Sequence, residues 1–317
     1  MNDLMTVEQG KEILANLKIR QITIEPEKIK IHKNAETGAW NMEIGDNLHE
    51  IRDKSGLKKV TGISDSLFAP FTDDFELGDS MRKHLMKKVK GPLGIVFAKD
   101  RIINIEPFKQ FKIDPLAAFE TIVDNCDIQS IAGIHHDKGL VVDFLSNVNG
   151  NPDKREGDIS SAGIEMRWGT DVEVAPYIYR LVCATGMKTL SYGVPRQISD
   201  FTEVKEVLKN LVMEIVNKRS PELLNKFFDL DNHVEENPEQ SMIRMGRDGG
   251  IRKGLITDMV EHIPSLPDGD ITSYDLMNII TSFANTEEMP KLQEVAGLLT
   301  EKYHDSSRCS RCSCILN

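Results

Sequence analysis

The chain has no apolar run near the ~18 residues that a membrane-spanning helix needs, and this excludes a helical membrane protein. Its first residues, MNDLMTVEQGKEIL, carry neither a basic start nor an apolar stretch, so no secretory leader is read there and a cytoplasmic location is expected. Cysteine is scarce, five in 317 residues, and three of the five crowd the last nine. A disulfide framework is therefore excluded, and Cys126 and Cys183 read as buried free thiols. Aromatics are few at 6 %, and there are no internal repeats or low-complexity tracts. The net charge of −11 argues against a general nucleic-acid coat.

What is present is a local reversal of that charge. Between Met81 and Lys112 stand nine basic residues and two acids, a net of +7 that leaves −18 on the rest of the chain. On a helix over about 79–90, Met81, Leu85 and Val89 share one face and Lys83, Lys87 and Lys90 share another. Downstream, PFKQFK interleaves Phe108 and Phe111 with Lys109 and Lys112. Aromatic rings that stack on bases, set among ammonium groups that meet phosphates, suit a single-stranded nucleic acid. The candidate binding residues are Arg82, Lys83, Lys87, Lys88, Lys90, Arg101, Phe108, Lys109, Phe111 and Lys112.

The element pattern is α+β, with hairpin-rich antiparallel or mixed sheet and interspersed helices, followed by an all-helical C-terminal part. Thr6 and Gln9 form a capping box for a first helix. KIKIHKN and AWNMEIG alternate about a turn and predict a hairpin. Residues 47–70 read as two short helices. LGIVFAKDRIINI predicts a hairpin turning at Lys99-Asp100, Asp114-Pro115 starts a helix, and DIQSIAGIHHDKGLVVDFLSN predicts another hairpin turning at 136–139. The strands are expected to join in a single sheet. APYIYRLVCATGM, with Tyr177, Leu181 and Val182, reads as a buried crossing segment. Beyond 196 the periods are helical, with a fresh start at Ser220-Pro221. The expected domains are 1–195, 196–305 and a flexible cysteine-containing tail, 306–317.

Four segments resemble the phage/plasmid-like protein family, a domain of unknown function carried by bacteriophages and mobile elements. They are NLHEIRDKSGLKKVTGIS, GIVFAKDRIINIEPFKQFKIDPLAAFETIVD, GDISSAGIEMRWGTDVEVAPYIYRLVCATGM and SYDLMNIITSFANTEEMPKLQEVAGLL. The resemblance spans roughly 45–305 and departs at Ala184-Thr185, where the family has a residue followed by Asn. It implies a phage or plasmid setting among recombination and replication genes, and it brings no catalytic residues.

Other motifs carry less. His135 and His136 are adjacent on a strand and face opposite ways, so with Asp137 and Asp143 they read as a polar turn rather than a metal site. Pro152-Asp153 with Glu165 suggests a metal-dependent nuclease, yet Arg167 stands where such an enzyme wants lysine. GRDGGIRKG lacks phosphate-loop spacing. Cys309, Cys312, Cys314 and His304 are crowded for zinc, and the terminal CILN is a poor prenylation box. The resulting expectation is a non-enzymatic, cofactor-free and metal-free protein that binds single-stranded nucleic acid, oligomeric in the manner of annealing proteins and not membrane-bound. The alternative is a structural or host-interaction protein.

Overall fold

The computed structural model describes residues 4–34, 37–52, 54–62, 74–107, 114–136, 139–150, 160–168, 172–180, 185–188, 192–193, 201–266, 269–286 and 290–308. Helix α1 (Val7–Leu17) starts on the expected capping box, with Thr6 Oγ1 accepting from Gln9 N. Strand β1 (Arg20–Ile24) follows, then a 3-10 turn (Pro26–Lys28) and the antiparallel strands β2 (Ile29–Lys33), β3 (Trp40–Ile44) and β4 (Asn47–Glu50). Asn47–Glu50 is thus a strand, where the sequence suggested helix. His49 anchors it, buried edge-on against Phe97 with ring centroids 4.9 Å apart. Helices α2 (Lys54–Thr61) and α3 (Asp74–Lys88) come next, then the hairpin β5 (Leu93–Ala98) and β6 (Arg101–Pro107), which turns at Lys99-Asp100.

Helix α4 (Pro115–Asn125) is capped by Asp114, whose Oδ1 accepts from Ala117 N at 3.0 Å. Strands β7 (Ile128–His135), β8 (Leu140–Gly150), β9 (Ser160–Trp168), β10 (Val172–Arg180), β11 (Thr185–Lys188) and β12 (Tyr192–Gly193) form the largest sheet, in the order β11-β10-β9-β8-β7 with β12 also on β10. The first part of APYIYRLVCATGM is therefore a central strand, and its end turns back as β11. It does not cross the core between elements. Leu181 and Val182 lie outside the described residues. The expected single sheet is three: β2-β3-β4, β1-β5-β6 and the β7–β12 sheet, each antiparallel within itself.

From Phe201 the described chain is helical, apart from one isolated bridge between Val234 and Thr272. Helices α5 (Phe201–Glu214) and α6 (Ser220–Asp229) are joined without a break by a π-helical turn, Ile215–Arg219. The expected restart at Ser220 does not occur. Pro221 has no N–H to donate and its ring crowds the preceding turn, and the widened turn, with Ser220 N bonded to Ile215 O, accommodates it. The Ser220 hydroxyl donates instead to the Gly163 carbonyl on β9. Helices α7 (Pro238–Asp248), α8 (Lys253–His262), α9 (Ser273–Thr286) and α10 (Pro290–Arg308) complete the fold.

Three large apolar cores result among the described residues, beside a small cluster of Leu145, Tyr177 and Tyr179. One lies between α1, α4, α5 and one face of the β7–β12 sheet, around Phe119, Phe144, Ile164, Trp168 and Leu208. The second gathers α6–α10 and reaches the sheet through Ala162 and Ile178. The helical part thus shares its packing with the sheet. The third lies between the two small sheets, α2 and α3, around Ile31, Met42, Leu85 and Phe97.

The β5–β6 hairpin belongs to two of these cores. Leu93, Ile95, Phe97, Ile102 and Ile105 face the third, and Val96, Ala98 and Ile103 the first. Consecutive Ile102 and Ile103 face opposite cores because pairing shifts from Val96↔Asn104 to Phe97↔Ile102, leaving Ile103 as a bulge. At Gly163 strands β8 and β9 approach closely, since a Cβ there would collide with the Phe144 carbonyl. Gly163→Ala is expected to destabilise the protein by roughly 1–3 kcal/mol, measured by urea denaturation. An unchanged midpoint would show that β8 and β9 separate freely.

Candidate functional site

Helix α3 packs across β2 and the 3-10 turn before it. Leu85 is fully buried and Val89, just past the helix end, packs on the same core, so these two residues of the predicted apolar stripe face the core, while the side chain of Met81 lies outside the described ones. Lys83, Lys87, Lys88 and Lys90 are exposed and Arg82 is half-buried. Lys83 pairs with Asp79 one turn earlier at 2.7 Å, and its hydrogen bond holds the Asp79 carboxyl below the ordinary aspartate range. Lys87 and Lys90 form no ion pair with any described residue. The Lys88 stem lies over Gly62, where α2 ends. Arg101 and Arg52 both reach Glu50, at 3.4 and 3.1 Å, so Arg101 is partly neutralised. Phe108, Lys109, Phe111 and Lys112 lie outside the described residues.

The same unit presents basic groups that the charge count over 81–112 missed. Ile29 and Ile31 turn inward on β2, which leaves Lys30 and His32 outward, and exposed Lys28 precedes them. Glu43 on β3 holds Lys30 at 2.5 Å and His32 at 3.1 Å, and these bonds lower its carboxyl pKa, the lysine foremost. Lys33 Nζ stands 6.0 Å from the Trp40 ring centroid. The alternation of KIKIHK was the available signal, and only the docking of α3 on β2 brings the two basic runs into one unit.

A second cluster lies on the large sheet. Strand alternation sends Val142, Phe144, Ile164, Met166, Val174 and Ile178 to the apolar face, and Asp143, Glu165, Tyr177 and Tyr179 to the other. Asp143 on β8 sits directly opposite Glu165 on β9, and the pair is flanked by Gly133 on β7 and Ala175 on β10. Both carboxylates are buried, at 7 % and 4 % exposure. His135 Nε2 is 3.6 Å from Asp143 Oδ2, its ring folded over Gly133, where a Cβ would collide with it. Arg167 Nη2 is 3.5 Å from Glu165 Oε1 and 3.9 Å from Glu294 Oε1. Asp143 Oδ1 is buried with no hydrogen-bond partner among the described residues.

The sheet thus brings together His135, Asp143, Glu165 and Arg167, which the sequence offered as two unrelated motifs, while Asp137 and Asp153 lie outside the described residues. Among the described residues no group of three or more His, Cys, Asp and Glu is arranged to hold a metal ion. Cys126 is half-buried, and burial pushes its thiol up to about 11, a value for an inert group. Cys183 and the tail cysteines lie outside the described residues, and α10 runs to Arg308.

Burial, then the negative charges of Asp143 and Glu165, raises the Tyr177 phenol well above its ordinary value. With the folded pKa above the unfolded one, Tyr177 costs no stability below about pH 10. Stability then falls as pH rises past that point, because the unfolded chain ionises first. In an alkaline titration followed at the tyrosinate absorbance band, the wild type and Tyr177→Phe should give the same signal below about pH 11, a unit above the free phenol. A signal lost in the variant over that range would place Tyr177 in contact with solvent.

No protein-family model, no curated protein and no solved structure matches the chain.

Proposed function

We propose that the protein binds single-stranded nucleic acid without catalysis, as a phage- or plasmid-encoded component of recombination or replication. It acts in the host cytoplasm, as an oligomer. The observation that carries this reading is the posture of α3. Leu85 on it is spent on the core, Lys83 and Lys87 are exposed one turn apart along it with exposed Lys90 just beyond its end, and neither Lys87 nor Lys90 pairs with a carboxylate among the described residues. Lys28 and Lys30 extend the same basic unit. The charge of −18 on the chain outside 81–112 repels a strand elsewhere, which favours one contact surface over a wrapped one. The phage or plasmid setting rests on the resemblance of the four quoted segments.

Such affinity comes mainly from phosphate contacts that release counterions, so log affinity should fall linearly with log salt, by about 0.7 per contact on a single strand. Replacing Lys83, Lys87 and Lys90 by Ala should lower that slope by up to ~2 and weaken binding to all sequences alike. The triple variant should keep the wild-type melting point, since all three side chains are exposed. Leu85→Ala on the same helix should instead cost roughly 2–5 kcal/mol of stability. Gel shifts with a labelled single-stranded oligonucleotide across a salt series measure the slope. Wild-type affinity and slope in the triple variant would remove the contact from α3. No binding to DNA or RNA at ~50 mM salt, where phosphate contacts are strong, would replace this reading with that of a structural or host-interaction protein.

A further inference from the structure

The lysine face of α3 holds one more ionisable side chain, which the charge count over 81–112 passes over because histidine is counted neutral. His84 is exposed, next to Lys83 in the chain and three and four residues before Lys87 and Lys88. Residues three and four apart are neighbours on a helix surface, with Cβ atoms ~5–6 Å apart. The ring is fixed from behind: Nδ1 lies 2.9 Å from the Ser80 carbonyl oxygen, one turn back. A carbonyl oxygen only accepts, so Nδ1 carries the hydrogen and donates it. In the neutral ring Nε2 is then an acceptor with a bare lone pair, and protonation turns it into a charged N–H donor.

Among the described residues no ion pair and no second hydrogen bond engages His84. The elements packed against α3 carry Glu27 and Lys28 on the 3-10 turn, Lys30, His32 and Lys33 on β2, and Lys54, Lys58 and Lys59 on α2. Lys30 and His32 are held by Glu43, and on α3 itself Asp79 is held by Lys83. The surroundings of His84 are thus mainly basic, and the counter-charge for a protonated ring has to come from outside the chain.

We propose, on the basis of the nucleic-acid reading of α3, that His84 is a further phosphate contact of this face, made only by its protonated ring. A neutral Nε2 turns a lone pair toward a phosphate oxygen, itself an acceptor, whereas the protonated ring meets that oxygen with a charge-assisted hydrogen bond. Histidine changes charge between about pH 5 and 8, so the contact is present at the lower end and lost at the upper. Binding and protonation favour each other by the same factor, as linkage requires.

Binding of the full-length protein to a labelled oligothymidylate, whose bases do not titrate in this range, is measured across a salt series at about pH 5.5 and about pH 8, near the two ends of histidine titration. The wild type should bind more tightly at the lower pH, with a log–log salt slope steeper by about 0.7, the value of one phosphate contact on a single strand. His84→Ala should match the wild type at the higher pH and lose that increment at the lower. His84→Arg, charged at both, should show the steeper slope at both. His262→Gln, at an exposed histidine of the helical part, should keep the wild-type increment. All three replace exposed side chains and should melt as the wild type does. A wild-type slope that is the same at the two pH values, or an increment that survives in full in His84→Ala, would overturn the proposal and leave binding through the lysines standing. No binding at either pH would overturn it together with the nucleic-acid reading of α3, so the two failures are told apart.

Discussion

Everything about the placement of the basic unit depends on the β5–β6 hairpin, which is buried on both faces. All six residues of β5 are buried. One face holds the two small sheets, α2 and α3 together, and the other packs on α1, α4 and the large sheet. The Ile103 bulge lets one strand serve two cores in successive residues. Its carbonyl also accepts from Gly139 N at 2.7 Å, at the start of β8, and Lys99 N donates to Leu17 O at 2.6 Å, at the end of α1. The lysines of α3 are therefore carried on a unit fixed to the rest of the chain by shared packing and main-chain bonds. A fixed surface loses less conformational freedom on binding than a loose arm does.

The large sheet obeys a different constraint. Its apolar face is covered by α1, α4, α5 and α6, with the π turn ahead of Pro221 keeping α5 and α6 in one piece and Ser220 bonded to the Gly163 carbonyl. The opposite face is also largely buried, yet it carries Asp143, Glu165, Tyr177 and Tyr179. Packing does not require two carboxylates and two phenols there, since apolar residues of similar size would bury more favourably. Their presence is a cost to stability of the kind found at sites with a chemical task.

Much of this was legible in the chain. The caps at Thr6 and Asp114, the hairpin at 99–100, the antiparallel pairing of β7 with β8 and the helical second half all follow from local rules that the described residues obey. What local rules could not supply was partnership. LGIVFA reads as a plain apolar run because both of its faces are buried, and nothing in it says that the two faces serve different cores. APYIYR hid its strand character because Tyr177 and Tyr179 are buried on the polar side and Ile178 on the apolar one. The His135–Asp143 and Glu165–Arg167 motifs were each visible and each weak alone. Register across three strands makes them one cluster. Asn47–Glu50 was mistaken for helix because its strand character comes from pairing with β3 and from the docking of His49 on Phe97.

The central functional claim is that a nucleic acid lies along the lysines of α3, and lysine footprinting tests it most directly. The protein is acylated with and without a saturating single-stranded oligonucleotide, and modification is quantified at each lysine by mass spectrometry. Lys83, Lys87 and Lys90 should be protected together, with Lys28 and Lys30 following them, while exposed Lys302, paired with Asp248 on the helical part, reacts equally in both states. Equal reactivity at Lys83, Lys87 and Lys90 with the oligonucleotide bound, or protection centred on Lys302, would contradict the claim.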